Sequence, residues 1–393
     1  MSRTTSHCAE RGVWRDVVGQ PAAVAELSAA AVDPSAMTHA WLFTGPPGSG
    51  RSVAARAFAA ALQCPEHGFG ECNACRTVLA GTHADVREIV PEGLSISVAE
   101  MRALVQLAAR RPATGHWHVL VITDADRLTE GAANALLKAV EEPPERTVFL
   151  LCAPSDHPDD VPVTIRSRCR IVPLRVPSPS AVAAVLMERD GVDADTAQWA
   201  ASVSGGHVGR ARRLARDPEA RDRRERILSV PLRLRGLGDA FAHADELVRS
   251  AEAEAAEVSR SRDTAEREEL AVAMGAGGTG KGVAAAARGA KAAERELERR
   301  QKSRSTRTQR DAIDRALVDL AGFFRDALVA GSGARVALGN PDREPDVRRA
   351  ATAWPAESLL RRLEAVLACR EAVDLNVKPR IAVEAMMVAL QRG

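Results

Sequence analysis

Residues 38–52 are Thr38-His-Ala-Trp-Leu-Phe-Thr-Gly-Pro-Pro-Gly-Ser-Gly-Arg-Ser52, which read as a strand, a glycine-rich turn and a helix start in one continuous run. A short apolar run, 41–43, predicts a buried strand that enters a glycine-rich loop. The alanine-rich segment 52–62 predicts the helix leaving it. Glycines let a backbone wrap an anion with several N–H groups pointing inward, and the following helix adds the positive end of its dipole. Gly45, Gly48, Gly50, Arg51 and Ser52 therefore form a candidate phosphate loop, with ATP or ADP as the ligand class. The spacing Gly45-x-x-x-x-Gly50 before Ser52 fits a P-loop, but Arg51 stands where lysine is expected. A compact ammonium reaches the β- and γ-phosphates from inside the loop, and a planar guanidinium is no neutral replacement. Binding is compatible with this change; the change argues against hydrolysis.

Working outward, residues 12–32 predict a turn and then a helix, with Val18 and Gly19 placed to line an adenine pocket. After the loop's helix come Cys64, His67, Cys72 and Cys75. A CxxC turn gives two thiolates to one ion, and tetrahedral zinc takes four sulfur or nitrogen ligands. Three are cysteines; His67 is the best fourth, and free thiols without metal are the alternative. Segment 84–90 reads as a strand. Ser97 and Glu100 make a capping box for a helix with Val98, Met101, Leu104, Val105 and Ala108 on one face. The apolar run 119–122 suits a central parallel strand. Thr129 caps a helix stopped by Pro143 and Pro144, and 147–152 and 171–174 read as further strands. Alternating strands and helices behind a first-turn phosphate loop predict a three-layer α/β domain.

The 393 residues exceed the ~100–200 of one domain, so two or three are expected. From residue 177 the pattern turns helical. A three-helix unit is expected over 177–225, and an all-α domain over 226–393 carries a charged insertion at about 251–310. Within it the run 274–282 is glycine-rich and nearly matches a P-loop. It lacks a preceding strand and a terminal Ser or Thr, and so reads as a flexible hinge. The formal charge of +2 balances 54 basic against 52 acidic residues, which gives no global basic footprint of a dedicated DNA binder. Basic residues concentrate at 302–310, as a solvated helix face or, more sharply, a DNA or partner contact. No stretch approaches the ~18–20 apolar residues of a membrane span, and residues 1–13 lack a signal segment, so a cytoplasmic protein is expected. Seven cysteines, three of them within 64–75, suit reduced thiols and one metal cluster better than disulfides.

Four stretches in order carry a resemblance: Gly45-Pro-Pro-Gly-Ser-Gly50, Ala80-Gly-Thr-His-Ala-Asp85, Asn134-Ala-Leu-Leu-Lys-Ala-Val-Glu-Glu-Pro-Pro144 and Thr164-Ile-Arg-Ser-Arg-Cys169. Together they resemble the clamp-loader branch of the AAA+ proteins, densely over residues 12–215. The resemblance implies an AAA+ P-loop domain over 1–176 with a zinc module at 64–75, then a small helical lid and a C-terminal oligomerisation collar. It implies a hetero-pentamer with gamma/tau and delta subunits of DNA polymerase III, acting on the sliding clamp and primed DNA in a nucleoid-associated replisome. The family's zinc module usually has four cysteines; Phe69 holds the position of one of them here.

Within that resemblance, hydrolysing members carry an Asp-Glu pair after the central strand. Thr123 and Asp124 stand there in this chain, and Cys152-Ala-Pro154 replaces the γ-phosphate sensor. With Arg51 these are three departures from a machinery that works by positioning and charge. Ser167-Arg168-Cys169 matches the family motif whose arginine, here Arg168, acts on a neighbour's nucleotide. The expectation is a subunit with little hydrolysis of its own that supplies an arginine finger in trans. The alternative is an active gamma/tau-like ATPase; a stand-alone DNA-binding regulator is a third class without a base-reading motif. Arg210 falls one residue out of register with the family's second sensor and is unassigned.

Overall fold

The computed structural model describes residues 12–91, 93–273 and 283–393. The expectation of a missing signal segment falls mostly, and the hinge at 274–282 wholly, outside the described residues. The chain divides into two compact units, Met1–Ala215 and Arg216–Gly393.

In the first unit, five parallel strands lie in the order β2-β3-β4-β1-β5: β1 Ala40–Thr44, β2 Val86–Ile89, β3 His118–Ile122, β4 Thr147–Ala153 and β5 Arg170–Pro173. β1, β3 and β4 are buried along their whole length, which explains why they read as unbroken apolar runs rather than alternating ones. Their side chains still alternate between faces. Trp41, Phe43, Val119, Val121, Val148 and Leu150 pack on one side with helices α1 Pro21–Val32, α2 Arg51–Gln63 and α3 Asn73–Leu79. Leu42, Leu120, Ile122, Phe149 and Leu151 pack on the other with α4 Val98–Ala108, α5 Glu130–Glu141 and the short α6 Val163–Arg166. This is the expected three-layer α/β architecture. α2 is alanine-rich because it lies flat on the sheet: Ala54, Ala55, Ala57, Ala59, Ala60 and Ala61 are all buried, and Phe58 meets Trp41 edge-on at 5.0 Å. Since all strands run one way, the loops after β1, β3 and β4 emerge on one edge of the sheet, where ligands of open α/β sheets bind.

Three helices complete this unit: α7 Pro179–Asp190, α8 Ala194–Val203 and α9 Val208–Arg216. Gly205 and Gly206 fall between α8 and α9.

The second unit is all helical: α10 Pro218–Ser229, α11 Leu237–Ala273, α12 Val283–Ser332, α13 Glu344–Ala353, α14 Ala356–Asp374 and α15 Pro379–Arg392. Its core gathers Leu247, Val248, Leu317, Phe323, Phe324, Val366, Met386 and Met387. Asp326, fully buried, accepts the Gly339 and Asn340 amides at 2.9 and 2.8 Å, and Arg224 donates to Asp342 and Asn340, so the turn before α13 is tied down by charge. α11 and α12 continue beyond this core as a helical pair. Past Ala255 and Ile313 the seam between them becomes polar: buried Gln301 bonds the Asp263 carbonyl, and Arg304 pairs with Asp263 and Glu266. Arg304 beside Glu266 holds that carboxyl down at about 2.

Candidate functional site

The glycine-rich loop 45–50 connects β1 to α2, and its glycines are required by its shape. Gly45 has φ 151°, and a Cβ there would sit 2.5 Å from the Leu174 carbonyl oxygen; Gly48, at φ 90°, lies with its backbone against His207 at the start of α9. Gly50, in the left-handed region, opens α2, so the N-terminus of a 13-residue helix faces the loop. Arg51 and Ser52 form the first turn of α2. The Arg51 side chain turns back into the loop and donates from Nη1 to the Gly45 carbonyl at 2.5 Å. Gln20 is buried beneath, donating to the Ser49 and Arg175 carbonyls at 3.1 and 2.5 Å and accepting the Arg175 amide at 3.1 Å. Gly19 lies against Pro177, and Val18 is half-buried next to it.

After β3, Thr123 and Asp124 stand where the resemblance puts the Asp-Glu pair of hydrolysing members. Thr123 spends its hydroxyl on the Ile89 carbonyl at 3.1 Å, stitching β3 to the end of β2. Asp124 opens the 3-10 turn Ala125–Arg127. Burial raises the Asp126 carboxyl above its ordinary value, only partly offset by its surroundings, which include Arg51. Cys152 is sealed inside β4, where burial pushes its thiol up to about 12. No polar sensor side chain stands at that position.

Beyond α2 the sulfurs of Cys64, Cys72 and Cys75 lie within 4.8 Å of one another, with Cys64 and Cys72 3.7 Å apart. Four thiolates at Zn–S ~2.3 Å would have sulfur–sulfur edges of about 3.8 Å, so the spacing fits a tetrahedral thiophilic ion. The surroundings fit as well. Burial alone would raise the Cys64 thiol, yet the amides of Gly68, Glu66 and Phe69 point at its sulfur and hold it below its ordinary value. The Cys75 amide donates to Cys72 Sγ at 3.4 Å, which makes Cys72 the N-cap of α3. His67 is exposed, at φ 53°, and is not among the gathered ligand atoms; Phe69 is also exposed.

Arg168 follows α6 on the far side of the sheet. Its Nη1 donates to the Thr164 carbonyl at 2.8 Å and to Ser167 Oγ at 3.3 Å, and its Nη2 meets Glu141 Oε1 at 2.7 Å. Both partners of this ion pair are 40% exposed, so the guanidinium is held yet reachable. Ser167 caps α6, while Cys169 is half-buried against the α5 side of the core, its thiol pushed up to about 12 by burial.

Two family models match this chain: DNA polymerase III, delta subunit, over residues 19–178, and DNA polymerase III, delta subunit, C terminal, over residues 308–391. Named relatives agree: the DNA polymerase III subunit delta' of Bacillus subtilis is 30% identical over 220 residues, covering 55% of this chain and 66% of that one. The chain belongs to the delta-prime family of DNA polymerase III subunits. The delta' subunit of Yersinia pestis is 39% identical over 137 residues, covering 33% of this chain and 40% of that protein. The subunit tau of Bacillus subtilis is 37% identical over 162 residues, covering 40% and 28%. The chain thus spans 66% or less of the length of these relatives.

The glycine-rich loop 45–50, the cysteine cluster and Arg168 are separate places on one unit. Sequence reasoning had singled out the residues of all three places. It missed Gln20, Asp85 and Glu141, whose partners lie 27 to 155 residues away. The signal available for Asp85 and Glu141 was their place in the motifs 80–85 and 134–144, which carried the resemblance without an assigned role. Among the described residues, no helix is long and apolar enough to cross a membrane.

Proposed function

We propose that this chain is the delta-prime-like subunit of a DNA polymerase III clamp loader. It assembles with gamma/tau and delta subunits to place a sliding clamp on primed DNA, hydrolyses little or no ATP itself, and supplies Arg168 to a neighbour's nucleotide. The observation that carries this reading is a contrast. Arg51, Thr123 and Cys152 are each committed to the protein's own structure, by the bond to Gly45, the bond to Ile89 and complete burial, while Arg168 is presented at the surface. Phosphoryl transfer depends on the phosphate-binding cation, the metal carboxylate and the γ-phosphate sensor together, and an arginine finger acts from outside. The family match supports the assembly.

The purified chain alone is expected to release phosphate from ATP at background rate, with or without magnesium. Magnesium-dependent turnover abolished by Arg51→Ala would instead establish the gamma/tau-like reading, which the 37% identity to a tau subunit favours. Co-purification of gamma/tau and delta chains with a tagged copy tests the assembly.

We also propose that Cys64, Cys72 and Cys75 hold a structural zinc ion, whose role is to bind the loop 64–75 into one piece. Metal analysis of the purified chain should find about one zinc per chain. Cys72→Ala should lower it at least ~10-fold, since two thiolates seldom hold zinc against a chelator. Because His67 stands apart from the three sulfurs, His67→Ala is expected to keep most of the metal; its loss would assign His67 as the fourth ligand.

A further inference from the structure

We infer that Glu141 is the positioning residue for Arg168, an inference that rests on the finger reading proposed above. Glu141 is the last residue of α5, where the helix dipole disfavours a carboxylate. Its charge therefore does not serve the helix that carries it. Its partner is Arg168, at 2.7 Å through Nη2, while the Thr164 carbonyl and Ser167 hydroxyl take Nη1 from the other side. Both terminal nitrogens of the guanidinium are thus anchored by two different elements, α5 and the end of α6. The neighbouring Arg166 pairs with Asp156 at 2.8 Å and does not compete for Glu141.

An ion pair as exposed as this one adds little to folding stability. What it does change is orientation. A free arginine side chain carries rotamer entropy, which has to be surrendered when the guanidinium is fixed against a phosphate. Pinned beforehand, the finger meets the developing charge without that reorganisation, which is how a preorganised donor acts in a transition state. Glu141 touches neither nucleotide nor reacting atoms; it acts through Arg168.

The test uses the reconstituted loader with its other ATP sites inactivated. Steady-state hydrolysis is compared for the parent, Glu141→Ala, Glu141→Gln, Arg168→Ala and the double variant Glu141→Ala/Arg168→Ala. Glu141→Ala is expected to lower kcat about three- to fivefold with the KM for ATP unchanged. Glu141→Gln, which keeps an acceptor oxygen without the charge, should fall between parent and Ala, and the double variant should be no slower than Arg168→Ala. An unchanged or raised kcat in Glu141→Ala would overturn the inference. So would an equal slowing in the Arg168→Ala background, which would mark a structural role. Should Arg168→Ala itself leave turnover unchanged, the finger reading falls and this inference with it; a clear Arg168→Ala loss beside a silent Glu141→Ala strikes Glu141 alone.

Discussion

Arg168→Ala in a reconstituted loader is expected to slow ATP hydrolysis at the neighbouring site by about a thousandfold while leaving the complex assembled. The size of the effect is that of an arginine finger, the role proposed for Arg168. Charge accumulates on the γ-phosphate oxygens in a site poor in water, and a planar, permanently charged group supplies two parallel donors to it. Assembly should survive because Arg168 is a surface residue whose removal leaves only Glu141, itself 40% exposed and easily hydrated, without its partner. Phosphate release in single-turnover experiments, with gel filtration of the same sample, separates the two quantities. Arg168→Lys should recover little of the rate, since a point charge does not reproduce the fork. A wild-type rate in Arg168→Ala would remove the finger assignment.

Asp85→Ala is expected to cost the first unit roughly 3–5 kcal/mol, because it takes one partner from a buried, charged hydrogen-bond network. Asp85 is almost fully buried and accepts the amides of Ala113, Thr114 and Gly115 at 2.6, 2.8 and 2.7 Å, together with the Thr114 hydroxyl at 3.0 Å. It fastens the loop that leads into β3. Burial by itself would raise the carboxyl, but these donors overcome it and hold the group down at about 2, from an ordinary 3.8. The linkage has a definite sign. A carboxyl depressed in the folded state contributes its stability above the unfolded value near 4 and loses it as pH falls through about 2, an amount on the order of 2–3 kcal/mol. Urea unfolding followed by tryptophan fluorescence suits the measurement, since four of the five tryptophans belong to the first unit. Parent and Asp85→Asn should converge in stability between pH 4 and pH 2; equal stability at pH 7 would show that the loop holds without the carboxylate.

The sheet was legible wherever one strand's own composition determined its burial. The apolar runs at 41–43, 119–122 and 147–152 are strands because they are covered on both faces, and no neighbour had to be known to see it. The capping box was legible for the same local reason. Ser97 and Glu100 bond each other's backbone amides, at 3.3 and 2.8 Å, within a single turn. Leu104 and Val105, expected on the buried face of α4, are only half-buried, while Met101 and Ala108 are fully so. Periodicity predicted the face but not how far α4 sinks into the layer. The glycine-rich turn between a buried strand and an alanine-rich helix was legible from local composition, but the bond from Arg51 to the Gly45 carbonyl could not be foreseen from spacing. The roles of Gln20, Asp85 and Glu141 were hidden for a different reason. Each is a polar residue satisfied by a segment brought close only by the fold, and a one-dimensional pattern carries no mark of such a partner.

The polar seam of the α11–α12 pair bears on how this chain can vary in length. The family matches end at residue 178 and resume at 308, so the outer part of the pair lies in neither. Below Ala255 and Ile313 the two helices are committed to the apolar core of the second unit, where adding or removing a turn would tear side chains out of register. Above them the contact through Gln301, Arg304, Asp263 and Glu266 is between the two helices alone. Whole turns inserted or deleted beyond that network, in matched numbers on the two helices, leave every core residue where it was. The network thus marks a frontier: on one side chain length is fixed by packing, and on the other it is limited only by the contact between the two helices.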